Sequence, residues 1–219
     1  MNGDTLNYQL SQDDFSSTRI KRLKKGDYLF HVGSAYHPYC FLILSGSLSV
    51  GLSSACGHET LLYHLGPHDL VGELGMFALK LGDLSVIADE PCELLEISIH
   101  EFREKLRTNA FLRKITDVFM NRCVQTNEVV SRLAQPYISM KICHYLKTLI
   151  ESKGESKKAQ VRVLLPSHGE LAKLLSCQRE SISRELKKLL KSGVLGNKDG
   201  NCFHVDTRNL DLFLSNQLK

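Results

Sequence analysis

The sequence predicts an α+β fold in which an all-β N-terminal part, a long central helix and a small C-terminal domain follow one another. Three observations predict this order. Strand-sized runs of β-branched and aromatic residues alternate with glycines between Ile20 and Ile99, a helical periodicity begins after His100, and Pro136 interrupts it. The predicted divisions are residues 1–108, 109–136 and 137–219.

Length and composition restrict the class of protein. A chain of 219 residues is long enough for two modest domains, each with its own core. Hydrophobic residues make up 42% and charged residues 24%, which is ordinary for a globular protein. No apolar stretch approaches the roughly 20 residues of a membrane-spanning helix, and the polar N-terminus has no apolar signal region. We therefore expect a cytoplasmic protein that has no membrane partner.

The spacing of cysteines and histidines argues against a metal cofactor. The seven cysteines include no CxxC pair and the nine histidines include no HExxH motif, so the cysteines are predicted to be reduced thiols. The less favoured alternative is a haem or metal ligand among four histidines of the β region. These four are His31, His37, His64 and His68.

Charge is distributed unevenly along the chain, although the net value is only +4. Residues 1–136 contain 13 Lys and Arg against 16 Asp and Glu, and residues 137–219 contain 15 against 8, so the two parts carry −3 and +7. A basic domain beside a near-neutral one is typical of a protein that binds a polyanion, usually duplex DNA or RNA. The alternative is a basic surface that only promotes solubility.

Six strand-sized runs account for the predicted β domain. Each is bounded by Gly, Pro, Asn, Asp or Ser, as expected where tight turns join the strands of a barrel or roll. The runs are YLFHV, FLILSG, SLSVGL, TLLYHL, LSVIA and ELLEISI.

A single long helix is predicted between Thr108 or Asn109, either of which suits an N-cap, and Pro136. A 3-4 spacing along it defines one seam, in which two polar residues interrupt an apolar stripe. The seam residues are Leu112, Ile115, Phe119, Arg122, Thr126, Val129 and Leu133. Such a seam predicts a coiled coil with a second copy of the chain, and so a homodimer. The alternative is that the helix packs across the β domain of its own chain.

The C-terminal part is predicted to be a winged helix-turn-helix. After a helix at about residues 137–151, VRVLL predicts a strand, HGELAKLLS predicts a helix that Pro166 and Ser167 open, and a tight turn follows near Cys177. QRESISRELKKLLKSG then predicts a second helix and VLGNKDGNCFHV a hairpin. The core-facing side chains of the two helices are predicted to be Leu171, Leu174, Leu175, Ile182, Leu186, Leu189 and Leu190.

The N-terminal end of the second helix is predicted to enter a DNA major groove. Arg179 offers a bidentate pair to guanine, Glu180 accepts from a cytosine amino group, and Lys187 continues toward flanking phosphates. The alternative is a surface helix with an ordinary ion pair between Glu180 and Arg184. The predicted DNA-binding residues are Ser167, Gln178, Arg179, Glu180, Ser181, Ser183, Arg184 and Lys187.

Three motifs resemble the cyclic-AMP receptor protein family of bacterial transcription factors. They are VGELGMF at residues 71–77, EISIHEFREKL at 96–106 and CQRESISR at 177–184. The resemblance covers nearly the whole chain and implies a cyclic-nucleotide-binding β-roll, a dimerising central helix and a winged helix-turn-helix that binds a two-fold symmetric operator.

The same resemblance implies which bases are contacted. Arg179, Glu180 and Arg184 match the base-contacting trio of the family, so the implied half-site is similar to TGTGA. Glu180, Ser183 and Arg184 also match the fumarate-nitrate branch, but Arg179 favours the former. The cysteine cluster of the iron-sulfur branch is missing, which argues against that cofactor.

An effector pocket is also implied by the resemblance. Glu73 stands where the family binds a ribose hydroxyl, and Arg122 stands where the central helix reaches the cyclic phosphate. A polar break in an apolar seam is consistent with a ligand lying against it. The implied cofactor-binding residues are Gly72, Glu73, Leu74, Ser85, Arg122, Thr126 and Asn127.

One segment of the pocket departs from the family. Gly82, Asp83 and Leu84 stand where the family has Arg-Ser-Ala, so the usual phosphate-binding cation is absent from that segment. An arginine there contributes roughly 1.5 to 3 kcal/mol. Lys80 or Arg122 is a candidate substitute, and Ser85 a candidate hydrogen-bond donor. Cyclic AMP is the leading effector; the alternatives are a different effector or a constitutive regulator with a degenerate pocket.

Together these features predict a transcription regulator rather than an enzyme. The effector is expected to shift the population toward a dimer that presents both recognition helices to DNA. The lysine-bearing loop at 153–158 is placed like the family's polymerase-contacting surface, so RNA polymerase is a further expected partner. A cupin-like metalloenzyme is the rival, but the histidines lack facial-triad spacing and residues 137–205 would be unexplained.

Overall fold

Strands and helices follow one another in the order that the sequence predicts. The computed structural model describes residues 9–31, 38–53, 59–77 and 84–216. The chain divides into two units, Met1–Thr126 and Asn127–Lys219, and their boundary lies inside one long helix.

Two antiparallel sheets form the N-terminal unit. The first has the strand order β1-β8-β3-β6 and the second β2-β7-β4-β5, where the strands are β1 (Ile20–Leu23), β2 (Tyr28–Phe30), β3 (Tyr39–Ser45), β4 (Leu48–Ser53), β5 (Glu59–Leu65), β6 (Leu70–Val71), β7 (Leu84–Ala88) and β8 (Cys92–Ser98). The glycine-punctuated runs of the sequence therefore form strands as predicted.

Strand β3 is buried on both of its faces. Because successive side chains of a strand point in opposite directions, Phe41 and Ile43 pack in one apolar cluster and Cys40 and Leu42 in another. The first cluster includes residues of both sheets, such as Val86, and so lies between them. The second lies between the first sheet and two helices. A continuous apolar run in the sequence thus corresponds to a strand covered on both sides.

Three helices accompany the sheets: α1 (Leu74–Phe77), α2 (Ile99–Lys105) and α3 (Asn109–Leu133). Ser98 caps α2, since its side-chain oxygen accepts a hydrogen bond from the backbone N–H of Glu101 at 3.2 Å. Helix α3 begins at the predicted Asn109 and ends before Pro136, which cannot continue a helix.

The first half of the seam predicted along α3 is covered by the chain's own β domain, and the pairing of this helix with a second copy of the chain stays a prediction. Ile115 is 3% exposed and Arg122 is 8% exposed. Phe119 is partly buried against the apolar cluster of the same chain that contains Cys40 and Leu42. The first half of the helix therefore packs on its own β domain, which was the alternative. Periodicity locates an apolar stripe but does not say what covers it. The apolar residues of α3 that are exposed are Leu112, Met120, Val124 and Val130.

The C-terminal unit contains the predicted winged helix-turn-helix. Its elements are α4 (Ile138–Ser152), β9 (Gln160–Leu164), α5 (His168–Leu174), α6 (Arg179–Lys191), β10 (Leu195–Asp199), β11 (Cys202–Asp206) and α7 (Thr207–Asn216). The three strands form an antiparallel sheet in the order β10-β11-β9. Helix α7 was not predicted.

Six of the seven predicted core side chains of the helix-turn-helix are buried, and Leu190 is not. Leu189 is 0% exposed, whereas Leu190 is 37% exposed. Leu190 lies about 100° from Leu189 around the helix axis, at the exposed edge of the apolar stripe of α6.

Two glycines give a test of backbone constraint in the β domain. Gly46 joins β3 to β4 at φ +85°, and a Cβ there would lie 2.4 Å from the carbonyl oxygen of Pro91. Gly26 has φ +87° and no atom within 4 Å of such a Cβ. We expect Gly26→Ala to cost about 1 to 2 kcal/mol from the left-handed backbone alone, and Gly46→Ala to cost clearly more.

Thermal unfolding of both variants measures this difference. Because the two glycines share the same backbone region, Gly26→Ala is the matched control for Gly46→Ala. Equal losses in melting temperature would show that the contact with Pro91 has no effect.

Candidate DNA-binding surface and effector cavity

The helix-turn-helix is held together by local hydrogen bonds. Ser167 caps α5 in a capping box, accepting from the backbone N–H of Glu170 while the Glu170 carboxylate accepts from the backbone N–H of Ser167. Ser176 takes φ +49° in the turn before α6, and the Nδ1 of His168 lies 2.9 Å from the Oγ of Ser183. The orientation of α6 relative to α5 is therefore built into the sequence around the turn.

Helix α6 presents the predicted base-contacting residues to solvent. Ile182, Leu186 and Leu189 are its buried side, and the exposed residues are Gln178, Arg179, Glu180, Arg184 and Lys187, together with the capping residue Ser167. Ser181 and Ser183 are half-buried.

The arginines of this surface are available for DNA. Within the described part of the chain, the side chains of Arg179 and Arg184 form no ion pair, and the pair between Glu180 and Arg184 is not formed. Ser183 instead holds the two helices together through His168. Unpaired guanidinium groups at the N-terminal end of a recognition helix suit bidentate contacts to guanine.

A cavity lies between the sheets of the N-terminal unit. It encloses about 410 Å³ of space not filled by protein atoms, part of it open to solvent. The lining residues are mostly apolar, and among the described ones only Glu73 and Arg122 are charged. They are Phe30, Val50, Tyr63, Leu65, Leu70, Val71, Gly72, Glu73, Leu74, Leu84, Val86 and Arg122.

Glu73 is a buried carboxyl group at one wall of the cavity. It follows β6 and is 4% exposed. Burial raises the pKa of Glu73, and the nearby positive charge of Arg122 opposes this rise. Gly72 before it has φ +87°, and a Cβ there would lie 2.9 Å from Cζ of Phe30. Only glycine lets the backbone approach the cavity this closely.

Arg122 reaches the cavity from α3. Its Nη2 donates to the carbonyl oxygen of Leu70 at 3.2 Å, and its Cζ lies 4.5 Å from the ring centroid of Tyr63. Its Nη1 is buried and has no hydrogen-bond partner among the described residues. Because a buried unsatisfied N–H is costly, this atom fits a ligand that brings an anionic group. The residues present therefore fit a nucleotide with a phosphate and a hydroxyl.

The other predicted pocket residues have different positions. Leu74 lines the cavity, and Ser85 is buried on β7 between two lining residues without lining it. Thr126 and Asn127 are exposed on α3 and do not line it; the Thr126 hydroxyl donates to the carbonyl oxygen of Arg122 at 2.8 Å. Lys80, Gly82 and Asp83 lie outside the described residues, whereas Leu84 lines the cavity.

Tyr63 and Phe30 are cavity residues that sequence reasoning missed. The signal for Tyr63 was available. It lies two positions from Leu65, which is buried and lines the cavity, so strand alternation places it on the same inward face of β5.

Two further findings concern other classes of function. No group of three or more His, Cys, Asp or Glu among the residues described is arranged to hold a metal ion. The described helices include none with the length and apolar character needed to cross a bilayer.

Comparisons with known proteins match one family model to each part of the chain. The family model described as "Cyclic nucleotide-binding domain" matches residues 20–109, and the one described as "Crp-like helix-turn-helix domain" matches residues 140–211. The CRP-like protein Clp of Xanthomonas euvesicatoria is 30% identical over 186 residues, covering 81% of this chain and 77% of Clp. The cAMP-activated global transcriptional regulator CRP of Pasteurella multocida is 28% identical over 179 residues, covering 80% and 84%.

Solved structures show the same architecture. The c-di-GMP responsive regulator CLP of Xanthomonas campestris superposes with a TM-score of 0.68 at 26% identity, covering 85% of this chain and 93% of that one. CprK in complex with OCPA superposes with a TM-score of 0.74, covering 94% of each chain, but at 17% identity it shows the fold alone.

A cyclic nucleotide-binding domain followed by a helix-turn-helix defines the class: a DNA-binding transcription regulator. The relatives and their coverage place the chain within that class more narrowly. It belongs to the CRP family of bacterial transcription regulators. The α+β fold that the sequence predicts, with an N-terminal β-roll and a C-terminal winged helix-turn-helix, is thereby confirmed.

The buried carboxyl group of Glu73 gives a pH-dependent prediction. Since its pKa in the folded protein is raised above the usual value near 4.5, folding favours the protonated form, and this stabilisation is present at low pH and lost as pH rises through the folded pKa. Glu73→Gln removes the titration. We expect the variant to gain stability over wild type progressively as pH rises above about 4.5.

Chemical denaturation from pH 4 to 8 checks this, with exposed Glu90→Gln as the matched control. Stability curves for wild type and Glu73→Gln that run parallel over the whole range would contradict it.

Proposed function

We propose that this chain is a homodimeric regulator whose DNA binding is switched by a cyclic nucleotide in the cavity of the N-terminal unit. The observation that carries the proposal is that a buried carboxyl group, Glu73, and a buried guanidinium, Arg122, line the same cavity, and that Nη1 of Arg122 has no partner among the described residues. A nucleotide brings both a phosphate and ribose hydroxyls, so it satisfies both groups at once.

Arg122, Glu73 and the apolar wall of the cavity each have a role in this proposal. Arg122 binds the phosphate through Nη1, and the Glu73 carboxylate accepts a hydrogen bond from a ribose hydroxyl. The apolar wall formed by residues such as Val50, Leu65 and Val86 covers the base and excludes water. A charge-assisted hydrogen bond in such a setting is stronger than one in water.

Cyclic AMP is the first effector to test. Its support is the relative described as cAMP-activated, while the neighbour described as c-di-GMP responsive supports a second nucleotide. A specific observation favours the rival function as well. Residues 82–84 are Gly-Asp-Leu and contain no cation, which favours a constitutive regulator that needs no effector.

Dimer formation is proposed through α3. Met120, Val124 and Val130 are each more than half exposed although apolar, which is unusual for a surface helix with no partner. A symmetric dimer would present two copies of α6 to major grooves about 34 Å apart on a two-fold symmetric operator with TGTGA-like half-sites. RNA polymerase is the further proposed partner, through the exposed lysines of 153–158, and the site of action is the cytoplasm.

Arg179→Ala is expected to abolish the preference for the operator guanine while leaving salt-dependent non-specific binding, because base contacts specify and phosphate contacts position. Lys187→Ala is the matched control. It should weaken binding to all sequences by a similar factor and reduce the salt slope by about one.

Fluorescence anisotropy with an operator duplex and a scrambled duplex, each over a series of salt concentrations, separates these effects. Equal loss on both duplexes for Arg179→Ala would refute its role in base recognition.

The effector proposal is tested by anisotropy of a labelled palindromic TGTGA duplex at one fixed salt concentration, with and without cyclic AMP. We expect tighter specific binding with the nucleotide, and the response should be lost in Glu73→Ala. Equally tight binding in both conditions would support the constitutive regulator or a different effector. No specific binding in either would overturn the proposed operator.

A further inference from the structure

One residue of the cavity, Tyr63, is assigned no role by the proposed function. Its ring lies against the Arg122 guanidinium, with 4.5 Å between the ring centroid and Cζ. This separation is well inside the range of a cation–π contact. Burial raises the pKa of the Tyr63 phenol, and the nearby positive charge of Arg122 opposes this rise.

The surroundings of Arg122 restrain the guanidinium in three ways. Nη2 is tied to the carbonyl oxygen of Leu70, and Tyr63 covers one face. The backbone is fixed because α3 packs through Ile115 into the core. Nη1 is buried without a partner among the described residues. The guanidinium is therefore fixed in position, and its Nη1 remains able to donate a hydrogen bond to a ligand.

Restraint of the Arg122 side chain before binding is important because ordering a flexible arginine has an unfavourable conformational entropy. An arginine side chain loses rotamer entropy when it is fixed, and a planar guanidinium stacks well on an aromatic ring. A ring that orders the guanidinium before the ligand arrives removes this cost from the binding step. Residues 82–84 hold no cation, so this matters more here than in a pocket with a second arginine.

We propose that Tyr63 is a positioning residue for the effector: its ring holds the Arg122 guanidinium so that Nη1 meets the anionic group of the ligand. This inference rests on the proposed function and deepens it. It explains how the cavity binds an anion although residues 82–84 contain no cation. The ring, rather than the hydroxyl, does the positioning. Tyr63→Phe should therefore retain the affinity for the effector that Tyr63→Leu loses.

Calorimetric titration of the full chain with cyclic AMP, cyclic GMP and cyclic di-GMP measures the effect on affinity. For the nucleotide that binds, we expect Tyr63→Leu to weaken binding by about ten-fold, and Tyr63→Phe to stay within about two-fold of wild type. Tyr28→Leu is the matched control, since Tyr28 is 42% exposed and stacks on His31 rather than lining the cavity.

Two results of the titration would overturn the proposal. One is that Tyr63→Leu binds as tightly as wild type. The other is that Tyr63→Phe falls as far as Tyr63→Leu, which would assign the effect to the hydroxyl. If the melting temperature of Tyr63→Leu falls further than that of Tyr28→Leu, Tyr63→Met gives the same comparison with more of the volume retained.

A second measurement decides the proposal without any ligand. In protein labelled with ¹⁵N-arginine, NMR reports rotation of the Arg122 guanidinium about its Nε–Cζ bond, and Arg122→Lys assigns the signal. We expect restricted rotation in wild type and Tyr63→Phe and faster rotation in Tyr63→Leu. Equal rotation in all three would overturn the positioning role.

The two measurements separate this inference from the proposed function. If wild type binds none of the three nucleotides, the cyclic-nucleotide effector is refuted, while the NMR comparison still decides whether Tyr63 holds Arg122. If a nucleotide binds and shifts the Arg122 signal but Tyr63→Leu changes neither affinity nor rotation, the proposed function stands and the inference fails.

Discussion

The packing of α3 against the β domain is the constraint on which the effector cavity depends. Phe111 and Ile115 lie in the same buried cluster as Phe102, and this fixes the first half of the helix. Arg122 is seven positions beyond Ile115, which is two helical turns, so it lies on the same side of α3 and lines the cavity. A shift of this helix would therefore move the guanidinium relative to Glu73 and Tyr63.

The buried charged groups of the cavity suit ligand binding but reduce the stability of the fold. Glu73 and Arg122 are both buried, and the raised pKa of Glu73 shows that the Arg122 charge does not offset its loss of hydration. Each unsatisfied buried group costs about 1 to 3 kcal/mol. A ligand that gives Nη1 of Arg122 a partner would recover this energy only while α3 holds Arg122 in place, so its binding would favour that arrangement of the helix.

Local patterns accounted for most of the fold and for part of the site. Alternation and glycine spacing predicted the strands, and the polar break at Arg122 pointed to a residue that lines the cavity, because both signals are local in sequence. The stripe that contains Ile115 is covered by the chain's own β domain, and the pairing of this helix with a second copy of the chain stays a prediction. Tyr63 was missed because no motif marks it, although strand alternation places it inward.

The sequence by itself determined the order of elements, the basic character of the C-terminal part and the two motifs that carry Glu73 and Arg179. These depend on side-chain periodicity, charge and turn chemistry, which act over a few residues. Only the tertiary structure decided which side of α3 is covered and that the Tyr63 ring lies against Arg122. Those contacts join residues far apart in the chain, and their geometry follows from how the sheets and the helix pack rather than from any local pattern.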